Sequence, residues 1–249
     1  MPDHVVNGLA DDTGAAGAGR AATAGWLGKL ACLGDFASRR LAPDFTRACD
    51  AWLAGGLEAS RAQLGEHWLE VYLTSPLWRF AWAPGVLDER WWFGVMMPSV
   101  DRVGRYFPLL IAQACAEAPR SSPDLDRLDR WFTQLAEAAL ATLQPDATLE
   151  RFESALTATP PWQVPAPPCS AQPVIGAAKQ WPDRSRHVVP AGMTLAQSLQ
   201  QVGTFDTLQR FQGCSVWWFS QPGDSDDSLS VAVGLPAVGS FVHLLEGVW

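Results

Sequence analysis

Residues 77–115 read LWRFAWAPGVLDERWWFGVMMPSVDRVGRYFPLLIAQAC, and the fold follows from this stretch. Its first part alternates, with Trp78, Phe80 and Trp82 on one face and Arg79 on the other, which is the period of a strand. Two almost continuously apolar runs follow, 91–97 and 107–115, and such runs suit strands covered on both faces. Pro84-Gly85 and the segment 99–106 supply the connections, so an antiparallel meander is the simplest arrangement. A sheet covered twice needs helices on both sides. The expectation is therefore an α/β fold, a three-layer α/β/α sandwich around a mainly antiparallel, mixed sheet.

The flanks supply the covering helices. From Pro43, the residues Phe45, Ala48, Cys49, Trp52 and Leu53 recur at helical spacing, with Pro43 suited to the first helical position and Asp44 to the positive helix start. Gly55-Gly56 is read as the break, with a second piece over 57–65. Leu125, Leu128, Trp131, Phe132, Leu135, Ala139 and Leu143 form one stripe over 124–143, and Leu149, Phe152 and Leu156 continue on a shorter helix. Six prolines fall within 159–173, an irregular or polyproline-like loop. Beyond it a helix is expected near 194–202, then strands 214–219 and 229–234 joined by the acidic turn 222–228. Two strands and one helix rarely make a core, so they are expected to join the first sheet. The domain reading is a flexible Gly/Ala-rich tail at 1–24 and one domain over 25–249.

Composition narrows the function. The chain has 249 residues, enough to bury roughly three quarters of its unfolded surface. It is 48% hydrophobic, 18% charged, carries thirteen tryptophans and has a net charge of −8. Its pI near 4.9 argues against nucleic-acid binding. The longest apolar runs fall short of a membrane span, no basic run exceeds Arg39-Arg40, and Met-Pro-Asp-His does not open a secretory signal. No nucleic-acid partner and no membrane insertion are expected. Cysteines 32, 49, 115, 169 and 214 are scattered, odd in number and without a CxxC, and read as reduced thiols.

Catalytic motifs fail one by one. Gly28-Lys29 lacks both the first glycine and the following hydroxyl of a phosphate-binding loop, since Thr23 and Leu30 hold those places. Gly17-Ala-Gly19 has no preceding strand, and no Gly-x-Ser-x-Gly elbow exists. His4, His67, His187 and His243 have no metal-ligand spacing. No catalytic residue, metal or cofactor is assigned.

Two polar segments interrupt the apolar surroundings: Gly28-Lys29 with Gly34-Asp35-Phe36 and Arg39, and Pro98 to Arg105. The glycines allow positive φ, Asp35 suits a helix cap, and Phe36 can plug the core. Asp101 can pair with Arg39, Arg79, Arg102 or Arg105, and Ser99 can satisfy a loop amide. Either these residues tie a long loop down, or they form a recognition surface. On the second reading Lys29, Asp35, Arg39, Ser99, Asp101, Arg102 and Arg105 are the candidate partner-binding residues. Trp52, Trp78, Trp82, Trp91, Trp92 and Trp131 are read as core, and any exposed tryptophan as a contact for a protein partner.

The succession Gly28-Lys29, Gly34-Asp35-Phe36, Arg39, Trp52, Ser75-Pro76-Leu77-Trp78-Arg79-Phe80, then Pro98 to Arg105 with Phe107-Pro108, resembles the TagF (ImpM) family. These are cytoplasmic accessory proteins of the bacterial type VI secretion system. Ser215-Val216-Trp217-Trp218 and Gly234-Leu235-Pro236 extend the resemblance, and Ala31-Cys32 departs from the family's Pro-Ser. The resemblance implies a three-layer α/β sandwich and a non-enzymatic, cytoplasmic, post-translational repressor of secretion-system assembly. Its partner would be the forkhead-associated scaffold protein of that system. A phosphatase domain fused to some relatives has no room here. The alternatives are a structural or assembly factor of the secretion baseplate, or an enzyme acting on phosphoryl esters or nucleotides.

Overall fold

The expected meander forms β3 (Trp78–Trp82), β4 (Trp91–Met97) and β5 (Leu109–Cys115) in a computed structural model. Residues 23–119, 122–163, 184–189, 194–195, 211–219 and 227–249 are described. In register, Trp78 faces Met96, Trp82 faces Trp92 and Met97 faces Leu109. Phe80 lies opposite Gly94, and a Cβ at Gly94 would overlap the Phe80 ring and the Ile111 carbonyl. The missing side chain lets Phe80 lie over the strand and stack on Trp82, with ring centroids 4.1 Å apart.

Short strands extend the meander on one side, β1 (Gly25–Gly28) against β5 and β2 (Ala37–Arg39) at the edge. On the other side β7 (Cys214–Phe219) pairs with β3, followed by β8 (Asp227–Val233) and β6 (Arg184–Val189). The order in the eight-stranded sheet is β2-β1-β5-β4-β3-β7-β8-β6. Every ladder between these strands is antiparallel, and the parallel element of the expected mixed sheet is reduced to one bridge between Cys214 and Gly234.

Helices cover both faces, giving the α/β/α sandwich. On one face lie α1 (Pro43–Leu64), α2 (Trp68–Thr74) and the C-terminal α5 (Phe241–Leu245). Their Phe45, Trp52, Leu53, Tyr72 and Phe241 pack on Trp78, Phe80, Trp82 and Trp217. On the other face lie α3 (Ser122–Ala141) and α4 (Leu149–Ala158). There Leu125, Leu128, Trp131, Phe132 and Leu135 meet Phe93, Val95, Ile111 and Trp218. Full burial of each large side chain contributes about 1.5–3 kcal/mol, so the two apolar layers carry most of the stabilisation. All twelve tryptophans among the described residues are buried, and the exposed-tryptophan expectation finds no member there.

Three helical expectations are corrected. Gly55-Gly56 does not break α1, which runs through both. A Cβ at Gly55 would stand 3.2 Å from Val238 Cγ1, and one at Gly56 would overlap the Phe241 ring. The glycines therefore admit the C-terminal segment against α1, and that packing offsets their cost of about 1 kcal/mol each in a helix. Leu143 lies beyond α3 and is 45% exposed, because the helix ends before the stripe's next turn. Asp35 caps no helix: its Oδ1 accepts the Phe36 amide and β2 follows. Residues 1–22, 164–173, 196–202 and 222–226, where the rest of the tail, Pro-rich-loop, helix and turn expectations fall, lie outside the described residues. Cys32, Cys49 and Cys214 are free thiols.

Candidate functional site

The polar cluster lies where β1 ends beside the connection between β4 and β5. Gly28 closes β1 with φ +126°, and a Cβ there would overlap the Pro108 carbonyl, so the strand end lies directly on the start of β5. That approach brings Lys29 under the loop. Its Nζ stands 3.1 Å from Asp101 Oδ2, and its carbonyl accepts the Ser99 hydroxyl at 2.7 Å.

Asp101 is the centre of the cluster, with a side chain fully removed from solvent. Its Oδ1 accepts the amides of Val103 at 3.0 Å and Arg105 at 2.9 Å, and its Oδ2 accepts Arg105 Nε at 2.7 Å in addition to the Lys29 contact. Burial by itself raises the acid's pKa. The Arg105 amide and guanidinium, Lys29 and the Val103 amide outweigh that effect and hold it well below the usual carboxylate range. The turn closes through Gly104, whose amide reaches the Asp101 carbonyl at 3.0 Å and whose φ is +83°.

Neighbouring segments brace the loop from two sides. The Arg102 amide donates to the Leu33 carbonyl at 2.8 Å, and Arg105 Nη2 reaches the Gly34 carbonyl at 2.6 Å and Asp35 Oδ1 at 3.2 Å. From α2, the Tyr72 hydroxyl donates to the Ser99 carbonyl at 2.8 Å and accepts its amide at 3.0 Å. Burial pushes the Tyr72 phenol up, so it stays protonated as a donor. Phe36 packs edge-on against Phe107 with centroids 5.6 Å apart, which is the core contact expected of it.

Six of the seven candidate residues thus converge: Lys29, Asp35, Ser99, Asp101, Arg102 and Arg105. Arg39 does not. It stands on the edge strand 3.7 Å from Glu153 of α4, which also accepts Trp26 Nε1 at 2.6 Å and Arg40 Nη1 at 2.5 Å. Arg79 pairs with Asp129 of α3 at 2.8 Å, because the strand alternation points it to that face. Of the four arginines open to Asp101, Arg105 is the partner. Ser99 satisfies the Lys29 carbonyl with its hydroxyl, not a loop amide. Gly34 has no positive φ.

Tyr72 and Glu153 were missed as polar anchors. The signal for Tyr72 is rarity, since the chain has only two tyrosines and Tyr72 meets the other, Tyr106, at 5.6 Å beside this loop. The signal for Glu153 is its place four residues after Leu149, an acid on an apolar stripe. Among the described residues no group of three or more His, Cys, Asp or Glu side chains is placed to hold a metal ion. Among them, too, no helix is long and apolar enough to cross a membrane.

Fold and cluster together define a three-layer α/β protein that displays a braced surface loop. Residues 25–159 match the model of the TagF N-terminal domain, described as type VI secretion system-associated. The chain belongs to the TagF family. It is similar to the crystal structure of PA0076 from Pseudomonas aeruginosa PAO1, with 40% identity, a TM-score of 0.64, and coverage of 90% of this chain and 94% of that one. No curated protein matches it significantly.

Proposed function

We propose that this chain is a non-enzymatic, cytoplasmic repressor of type VI secretion-system assembly. It acts post-translationally, as one domain over residues 25–249, by binding the forkhead-associated scaffold protein of that system. The observation that carries the reading is the match of the TagF N-terminal domain over 25–159, which includes every candidate residue. The geometry supports a binding role for the loop, because buried donors and acceptors fix its shape before any partner arrives.

Calorimetric titration into the forkhead-associated protein of the same gene cluster tests the proposal, with phosphorylated and dephosphorylated samples in parallel. Saturable binding in either state, together with increased secretion on deletion of the gene, is the expected result. Flat traces from folded proteins and unchanged secretion on deletion would sink it.

A further inference from the structure

Arg102 and Arg105 converge on Gly34. Arg105 Nη2 holds the Gly34 carbonyl at 2.6 Å, while Arg102 Nη2 lies 3.4 Å from the position that a Cβ of Gly34 would take. The absence of a side chain at Gly34 leaves the two guanidinium groups together over one backbone segment. Their neutralisation is unequal. Arg105 has Asp101 and Asp35 as anionic partners, whereas Arg102 has no ion pair among the described residues and is exposed. With Lys29 counted, the cluster keeps one positive charge in excess on a chain of net charge −8.

Between the arginines stands Val103, 66% exposed at the tip of the loop. Its amide is fixed by Asp101, and nothing lies within 4 Å of a Cβ placed on Gly104 beside it. The tip therefore projects a cation, an apolar side chain and a second, half-exposed guanidinium from a rigid base. Arginine is enriched among interface residues, and a planar guanidinium recognises carboxylate through paired donors.

We propose that Arg102, Val103 and the outer half of Arg105 are a docking tip for an acidic protein surface. A partner carboxylate would lie on Arg102 and an apolar neighbour on Val103. The occupant is anionic because Arg102 is the unneutralised group of the cluster, and it is a protein because Val103 offers apolar contact beside the charge. The inference takes the forkhead-associated protein of the proposed function as that partner.

The test compares wild type, Arg102→Ala and Arg102→Glu in calorimetric titrations against that protein. The same alleles and a full deletion are placed on the chromosome, with secretion as the readout. Both variants should keep the wild-type Tm within about 2 °C, since the side chain is exposed and unpaired. Affinity should fall at least ~10-fold for Arg102→Glu and less for Arg102→Ala, and the wild-type affinity should weaken with added salt. Unchanged affinity of both variants overturns the tip and leaves the proposed function standing. If wild type itself does not bind, the forkhead-associated partner of the proposed function falls and the chromosomal alleles decide the tip. Arg102→Glu secreting like the deletion, with the protein folded, supports a different acidic partner, and Arg102→Glu secreting like wild type overturns the tip.

Discussion

Two Asp–Arg pairs in this molecule are opposite in character. Asp101 is fully buried, accepts the Arg105 and Val103 amides and two cationic side chains, and titrates well below the usual carboxylate range. Asp129 on α3 meets Arg79 of β3 at 2.8 Å with a quarter of its side chain exposed. Burial, aided by nearby Asp126, nonetheless pushes its acid up despite Arg79. The number of donors aimed at the carboxylate decides the outcome, more than depth or the presence of an arginine. Function follows the same division. The Asp101 cluster shapes a surface loop that has no apolar core of its own, and the Asp129 pair decorates a helix already held by its apolar stripe.

If that division is right, the largest effect on the α3 side comes from packing and not from charge. Phe132→Ala removes a fully buried ring that touches Phe93 and Trp218, and should cost about 4 kcal/mol, or ~10 °C in Tm, by differential scanning calorimetry. Next comes Asp101→Asn, which leaves the largely covered Lys29 without its counter-ion. A fall in Tm of about 5–8 °C is expected, and a change under ~1 °C would show that the buried carboxylate does not hold the loop. Asp129→Asn should change stability by about 1 kcal/mol or less, because one partly exposed pair is lost.

The smallest effects lie in pH dependence and have opposite signs. An unfolded aspartate titrates near ~3.9. Asp101 is lowered in the fold, so its contribution is complete above that value and is lost as pH falls toward the native pKa. The gap in Tm between wild type and Asp101→Asn should therefore narrow as pH drops below about 4. Asp129 is raised, so its contribution is present at low pH and lost as pH rises through the native value. Wild type should gain stability relative to Asp129→Asn on acidification through that value. Parallel trends in the two melting series would contradict the assignment of the two carboxylates.

The elements legible in the sequence were those with enough length to show a period. The alternation from Trp78 to Trp82 and the apolar runs of β4 and β5 announced the meander, and Leu125, Phe132 and Leu156 announced the helices behind it. β1 and β2 escaped because Gly-Trp-Leu-Gly and Ala-Ser-Arg are too short to alternate, and pairing with β5 makes them strands. The continuity of α1 across Gly55-Gly56 depends on Phe241, nearly two hundred residues away, and no local pattern carries it. At the site, charge inside an apolar stretch pointed to Asp101 as the acceptor of an ion pair, and the structure pairs it with Arg105 and Lys29. The choice of Arg105 over Arg39 and Arg79 is tertiary, since an edge strand and a strand face send those two to Glu153 and Asp129.

A buried carboxylate gives the surface loop between β4 and β5 a fixed shape before any partner binds. Amide hydrogen exchange at Val103 and Arg105 reads this out, because both amides donate to Asp101 in residues that are otherwise exposed. In wild type these amides should exchange more than ~100-fold slower than in an unstructured peptide, and Asp101→Ala, which removes the acceptor oxygen, should lose that protection while the β4 and β5 amides keep theirs. Rapid exchange at Val103 and Arg105 in the wild-type protein would contradict the account.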